Sequence, residues 1–210
     1  MTKQKQIDGE IFQNTIKILK DLISFQTESG KSNLELIDYC ELKLKNSGAS
    51  SLKTFNNSKT QANLFSTIKG KNLNGTGIVL SGHTDVVPAV PDEWTSDPYI
   101  VREKNDKLYG RGTCDMKGFI ACTLAVAPLF ASSKLKRPIH FSYPFDEETG
   151  CLGAPLVLAD LKKRNLNFSA CIIGEPTNMK AIPAHKGCNE HQTHFTGLSG
   201  HASHPENGTR

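Results

Sequence analysis

The stretch GIVLSGHTDVVP, residues 77–88, combines a strand pattern with two side chains that are common in active sites. Its apolar run at residues 78–80 is typical of a buried strand. His83 and Asp85 follow two residues apart, so they project from the same side of the chain where it leaves the sheet. In α/β proteins, ligand-binding and catalytic groups often lie at such strand ends. This stretch therefore predicts a buried strand that leads into a functional site.

Helix and strand patterns alternate along the chain. Apolar residues recur at helical spacing over residues 12–23, and a second helix is predicted from Ser32, where Glu35 completes a capping box, to Gly48. Strand-like runs occupy residues 64–68, 76–81, 139–143 and 170–173, and helix-compatible segments occupy residues 116–130 and 153–164. The alternation predicts an α/β fold with a mixed β-sheet flanked by helices.

Composition excludes several classes of protein. The chain has 210 residues, 37% of them hydrophobic, which is enough for one substantial core. The net charge of +4 comes without a basic block, so we expect no nucleic-acid partner. No apolar stretch approaches the length of a membrane span, so we expect no membrane association and a cytoplasmic location. Six cysteines without a CxxC pair predict buried thiols in a reducing compartment.

A second unit is indicated near the end of the sequence. Residues 190–196 alternate in polarity and are followed by GLSG at residues 197–200, a pattern that favours a new strand and a loop. We therefore predict one domain over residues 1–183 and the beginning of another over residues 184–210. We expect this second domain to be truncated, because too few residues follow to complete it.

Acidic residues and one histidine follow four separate segments of the predicted fold. They are His83 and Asp85, then Asp115, then Asp146, Glu147 and Glu148, and finally Glu175. Each has a common alternative as a core histidine, a helix cap or a first-turn acid. Together at one sheet edge, however, the acids would repel one another by several kcal/mol without a counter-charge. Their joint placement therefore favours a divalent metal site.

Five ordered motifs carry a resemblance to a known family. SGHTDVVP, LYGRGTCDMKGF, DEETGCLGAP, IGEPTN and SGHASHP resemble the co-catalytic zinc aminoacylase and carboxypeptidase family of metallopeptidases. The sequence GEPTN followed by AHKG resembles most closely the acetylornithine deacetylase branch of this family. The resemblance implies a metal-binding catalytic domain, followed by an α+β lid domain that also forms dimers.

The resemblance also implies a metal site with two Zn²⁺ ions, for which Co²⁺ can substitute. Asp115 would bridge the two ions, His83 and Glu175 would complete one site, and Glu148 would bind the other. A fifth protein ligand, a histidine, would come from beyond residue 210. The peptide bond between Asp115 and Met116 is expected to be cis.

Three further residues receive catalytic roles from the resemblance. Glu147 would be the general base, Asp85 would orient the His83 ring, and His201 in SGHASHP would stabilise the oxyanion from the lid domain. His201 would therefore act from a different domain than the metal ligands.

The implied reaction is hydrolysis of N2-acetyl-L-ornithine to L-ornithine and acetate, in arginine biosynthesis. The partners would be a small N-acyl amino-acid substrate and, at full length, a second copy of the chain. Two alternatives within the family are a succinyl-diaminopimelate desuccinylase and a broader aminoacylase or dipeptidase. A third alternative is a non-catalytic, truncated metal-binding module, and the 210-residue chain alone could be inactive.

Overall fold

The structure is a computed structural model that describes residues 3–72, 76–184, 186–187, 189, 191–194 and 196–208. The chain divides into two compact units, Met1–Pro176 and Thr177–Arg210. The domain boundary that we place after residue 183 falls inside the second unit, and it stays a prediction.

The helices of the first unit are α1 (Lys3–Ser24), α2 (Leu34–Asn46), α3 (Lys117–Ser132) and α4 (Gly153–Lys163). The strands are β1 (Ser50–Phe55), β2 (Ala62–Ile68), β3 (Gly77–Ser81), β4 (Arg102–Lys104), β5 (Lys107–Tyr109), β6 (Ile139–Tyr143) and β7 (Phe168–Ile173). Short 3-10 helices occur at Pro91–Glu93 and, in the second unit, at Pro205–Asn207. Within the described part of the chain, no helix has the length and apolar character needed to cross a membrane.

Five strands form the main sheet in the order β1-β2-β6-β3-β7, and β4 pairs with β5 in a separate hairpin. Strands β1, β2 and β6 are antiparallel neighbours, whereas β3 runs parallel to both β6 and β7. The predicted mixed sheet is therefore confirmed. Because β3, β6 and β7 are parallel, their carboxyl ends meet at one edge of the sheet.

Helices cover both faces of this sheet. Leu64 belongs to a large buried cluster that includes residues of α1, α2 and α3. The next residue along β2, Phe65, points to the opposite face and packs with Val157 and Leu161 of α4. This alternation along a single strand builds two apolar layers, as expected for a sheet that helices flank on both sides.

The predicted capping box at the start of α2 is wrong. The helix begins at Leu34, and the preceding residue, Asn33, makes no capping hydrogen bond with its side chain. That side chain instead bonds to Ala62 of β2, donating to its carbonyl and accepting from its N–H, each at 2.9 Å. A tertiary contact with the sheet has replaced the local cap. The predicted helix end is supported, because Gly48 adopts a φ of +77° just after the helix.

The strand predicted in the second unit is not observed among the described residues. Residues 190 and 195 of the predicted strand lie outside the described residues, and its described residues, 191–194 and 196, are not in a strand.

The cysteines depart from expectation in part. Cys40 is buried as predicted, and Cys188 lies outside the described residues. The prediction of buried thiols is wrong for four cysteines, which are exposed and free: Cys114, Cys122, Cys151 and Cys171.

Candidate metal centre

The carboxyl edge of the sheet brings the predicted polar residues together. His83 follows the end of β3 by two residues, and Glu175 follows the end of β7 by two. Glu147 and Glu148 lie in the turn after β6, and Asp115 lies just before α3. The parallel arrangement of β3, β6 and β7 is what directs these separate loops to one place.

The His83 ring is the centre of this cluster. Its side chain is 1% exposed, and its Nε2 lies 3.1 Å from Asp115 Oδ1 and 3.6 Å from Glu175 Oε1. Glu147 Oε2 lies 3.9 Å from the same nitrogen. Two sets of residues could each hold a metal ion: His83 with Asp115 and Glu175, and His83 with Glu147 and Glu148. Within each set, the possible ligand atoms all lie within 4.8 Å of one another.

The other ring nitrogen of His83 is held by Asp85. Nδ1 donates to the backbone carbonyl of Asp85 at 2.9 Å, and the Asp85 carboxylate lies further away, at 3.4 Å. This contact places the hydrogen of the neutral ring on Nδ1, which leaves the lone pair of Nε2 facing the acids. The ring is therefore oriented as a metal ligand requires.

The Asp85 carboxylate supports the acidic pair directly. It accepts hydrogen bonds from the backbone N–H groups of Glu147 at 2.9 Å and Glu148 at 3.2 Å, and from the Ser29 hydroxyl at 2.7 Å. Burial acts to raise the pKa of Asp85, but the nearby His83 ring and the hydrogen bonds from Glu147 and Ser29 outweigh it and lower the pKa. Asp85 is thus an ionised anchor for the turn as well as a partner of the ring.

Negative charge is crowded at this edge. Burial, together with the charges of Asp115 and Glu147, raises the pKa of Glu175 to about 7. Burial and the charge of Asp115 also raise the pKa of Glu148. Burial acts to lower the pKa of His83, but the hydrogen bond with Asp85 and the surrounding carboxylates raise it to about 9. A cation at this position would relieve the repulsion between carboxylates that contributes to the raised pKa values of Glu148 and Glu175.

The donor set fits a metal ion such as zinc. Imidazole nitrogen and carboxylate oxygen are typical zinc ligands, and both ligand sets supply them. The two sets share His83, and the predicted bridging role of Asp115 stays a prediction. The peptide bond between Asp115 and Met116 is cis, as the resemblance implies.

Sequence reasoning missed the loop that supports this edge, residues 25–33 between α1 and α2. Thr27 Oγ1 donates to the backbone carbonyl of Thr84 at 2.5 Å, and Val86 N donates to the backbone carbonyl of Thr27 at 3.0 Å. Ser29 adds its bond to Asp85. The polar composition of the loop predicts only a turn, so no local signal marks these residues as part of the site.

His201 belongs to the second unit. Its ring is exposed, and Nδ1 lies 2.7 Å from the Ser203 hydroxyl and accepts from the Ser203 backbone N–H at 3.3 Å. In the neutral ring the hydrogen is therefore on Nε2, which is available as a donor.

Residues 79–193 match the sequence profile of peptidase family M20/M25/M40. The chain belongs to this family. The matched range includes His83, Asp115, the acidic pair and Glu175, so the family assignment rests on the same segment that builds the candidate metal centre.

Curated relatives of this M20 family chain include acetylornithine deacetylases. The protein of Yersinia pseudotuberculosis serotype O:1b is 43% identical over 149 residues, covering 70% of this chain and 37% of that protein. The protein of Buchnera aphidicola subsp. Schizaphis graminum is 36% identical over 201 residues, covering 95% of this chain and 50% of that protein. The M20 chain thus spans half or less of the length of these relatives.

Solved structures of the M20 fold agree with the architecture. Human carnosine dipeptidase 1 superimposes with a TM-score of 0.66 at 22% identity, covering 80% of this chain and 39% of that one. An M20 family metallo-carboxypeptidase from Sulfolobus solfataricus gives a TM-score of 0.62 at 22% identity, covering 76% and 37%. At this identity the likeness shows a shared fold.

Proposed function

We propose that this chain forms part of a zinc-dependent amidohydrolase that removes the acetyl group from N2-acetyl-L-ornithine. The products are L-ornithine and acetate, and the reaction belongs to arginine biosynthesis. The observation that carries this proposal is the 36% identity to a curated acetylornithine deacetylase over 95% of the chain. The cluster of His83 with carboxylates at the sheet edge supports a metal-assisted hydrolysis.

In this proposal, residues at the sheet edge would hold two zinc ions. His83 and Glu175 would be ligands of one ion, Glu148 of the other and Asp115 of both, and a further histidine ligand would come from outside this chain. Cobalt can replace zinc in such a donor set. When bound, the metal lowers the pKa of a water molecule and polarises the acyl carbonyl.

Glu147 acts as the general base and then as the general acid. Its side chain is 39% exposed, so water and substrate can reach the carboxylate. The carboxylate takes a proton from the attacking water as the water oxygen bonds to the acyl carbon. It then delivers that proton to the amine nitrogen as the carbon–nitrogen bond breaks. The hydrogen bond from the Glu147 N–H to Asp85 holds the residue in place during both transfers.

His201 supplies a donor for the oxyanion. Because Nδ1 accepts from Ser203, the Nε2–H group is the one that can bond to the negatively charged oxygen of the tetrahedral intermediate. Asp85 contributes indirectly, by orienting His83 and by anchoring the turn that carries Glu147.

A substrate panel tests the proposed reaction. The complete protein to which this chain belongs would be loaded with zinc or cobalt and offered N2-acetyl-L-ornithine, N-succinyl-diaminopimelate and a dipeptide. We expect the highest kcat/KM for N2-acetyl-L-ornithine. Hydrolysis of the other substrates without acetylornithine turnover would reject the branch assignment. The same assay on the 210-residue chain asks whether this part is catalytic by itself.

The resemblance to acetylornithine deacetylases supports two further points of the proposal. They are a homodimeric full-length enzyme and a cytoplasmic location. Light scattering of the complete protein and fractionation of its source cells would test them. A monomer, or a protein found outside the cytoplasm, would reject the corresponding point.

A further inference from the structure

Asp146, the residue before the acidic pair, is a buried acid with an unusual backbone conformation. It is 4% exposed and has a φ of +49°, in the left-handed region that residues other than glycine seldom adopt. Such a conformation costs of the order of 1 kcal/mol or more and persists only where surrounding contacts hold it.

Two neutral donors converge on one oxygen of Asp146. Oδ1 accepts from the backbone N–H of Gly30 and from Nε2 of Gln61, each at 2.8 Å. Gln61 is itself buried, and its Oε1 accepts from Asn56 Nδ2 at 3.0 Å, which directs Nε2 toward Asp146. The two donors lie 116 and 85 positions away in the sequence, so they attach the turn after β6 to the α1–α2 loop and to the start of β2.

The turn that carries the two residues after Asp146 is held by further hydrogen bonds. The backbone N–H groups of Glu147 and Glu148 donate to the Asp85 carboxylate. The Asp146 carbonyl accepts from Leu152 N at 2.9 Å, which closes the turn behind them. The Asp85 carboxylate thus binds the N–H groups of the acidic pair. The buried carboxylate of Asp146 fixes the residue that precedes the pair.

We propose that Asp146, held by Gln61 and Gly30, is a positioning residue that sets the direction of Glu147 and Glu148. The catalytic and ligand roles of that pair rest on the proposed function above. The requirement for positioning is physical, because reacting and coordinating groups lose much of their effect when displaced by about 1 Å. The hydrogen-bond acceptor at Oδ1, rather than the negative charge, performs this role.

Three substitutions separate the acceptor from the charge. Asp146→Ala removes the acceptor, and Gln61→Met keeps the length of the side chain but removes one donor. Asp146→Asn removes the charge and keeps an oxygen at the same place for both donors. If Asp146→Ala fails to fold, Gln61→Met still tests the proposal.

Amide hydrogen exchange of the complete protein to which this chain belongs, measured by NMR with a chelator present, gives a readout that needs no metal. We expect Asp146→Ala and Gln61→Met to speed exchange at the Glu147 and Glu148 amides by about tenfold or more, and Asp146→Asn to keep it near the original rate. The amides of β6 should be unaffected. Unchanged exchange at the pair in Asp146→Ala, an equal acceleration throughout the first unit, or failure of Asp146→Asn to preserve protection would overturn the proposal.

Cobalt titration, followed by visible absorption, gives the second readout. Asp146→Ala should weaken cobalt binding by about tenfold or more, as loss of a residue that supports a ligand typically does, and Asp146→Asn should bind as the original chain does. Equal affinity in Asp146→Ala would reject the positioning role. If neither the original chain nor the complete protein bound cobalt, the proposed metal site would fail instead, and hydrogen exchange would still decide the role of Asp146.

Discussion

Two adjacent glutamates occur in the candidate site, and both are partly buried. Burial and the charge of Asp115 raise the pKa of Glu148, which a bound cation would reverse. The Glu147 side chain is 39% exposed, and its Oε2 lies 3.9 Å from His83 Nε2. Because neighbouring side chains diverge, one can coordinate a metal while the other exchanges protons with water.

Replacing Glu147 should therefore separate proton transfer from metal binding. We expect Glu147→Gln to lower kcat of the complete protein by roughly 10²- to 10⁴-fold, because the amide cannot take the proton. Zinc content, measured by atomic absorption, should stay close to that of the original protein. Glu93→Gln, at an exposed 3-10 helix, is the control and should change neither quantity. Full activity in Glu147→Gln would contradict the assigned role.

His140 on β6 predicts a pH dependence of stability away from the metal site. Its ring packs against Phe65 and Phe168, its Nδ1 lies 2.9 Å from Thr67 Oγ1, and burial lowers its pKa. Because the pKa of His140 is lower in the folded state, its neutral ring contributes to stability at pH values above the ordinary pKa, about 6.5. This contribution is lost as the pH falls through the folded-state pKa.

His140→Gln removes this titration. The free energy of unfolding of the original chain, minus that of the variant, should become smaller as the pH falls from about 8 to about 5. Urea unfolding at several pH values, with a chelator present, measures this difference. A difference that stays constant with pH would show that His140 takes up its proton equally well in the folded chain.

At the scale of elements, Asn33 joins the start of α2 to the sheet. Its buried amide makes three hydrogen bonds, two with the backbone of Ala62 and one, through Nδ2 at 2.9 Å, to Thr84 Oγ1. Thr84 lies directly beside His83, so this residue also connects α2 to the loop of the candidate site.

Asn33→Ala should lower the free energy of unfolding by about 3 kcal/mol, because it leaves buried partners without a hydrogen bond. Asn33→Asp keeps the acceptor for Ala62 N but loses both donors, so it should also destabilise. Asn46→Ala, at an exposed position of the same helix, should change stability by no more than about 0.5 kcal/mol. Urea denaturation of the three variants tests this prediction, and equal midpoints for Asn33→Ala and Asn46→Ala would refute it.

At the scale of the whole molecule, the crowded acids should make stability depend on metal. A zinc concentration about 100-fold above the dissociation constant stabilises a folded chain by about 2.7 kcal/mol. For a chain of this size that corresponds to a rise in the unfolding midpoint of roughly 5 to 10 °C. A thermal scan with zinc or with EDTA measures the shift, and His83→Ala, which removes the ligand shared by both sets, should abolish it. A midpoint that zinc does not raise, in this chain and in the complete protein alike, would reject the metal site.

Strands β2, β3, β6 and β7, and the polar residues that follow β3, β6 and β7, could be predicted from the sequence. This was possible because apolar periodicity and strand-end acids are local patterns, and because parallel strands must share an edge. The sequence did not predict β1 or the β4–β5 hairpin, whose residues are mostly polar and at most partly buried and so show little periodicity.

The contacts that hold the site in place could not be predicted, because they join segments that are distant in the sequence. Ser29, Gln61 and Asp146 make their decisive contacts with residues 56 to 116 positions away, and Asn33 exchanges a predicted helix cap for a bond to the sheet. The exposure of Cys151 and the other exposed thiols likewise depends on which surfaces the helices cover. The physical reason is common to all of them: a hydrogen bond or a buried surface between distant segments exists only after the chain has folded, so no local pattern records it.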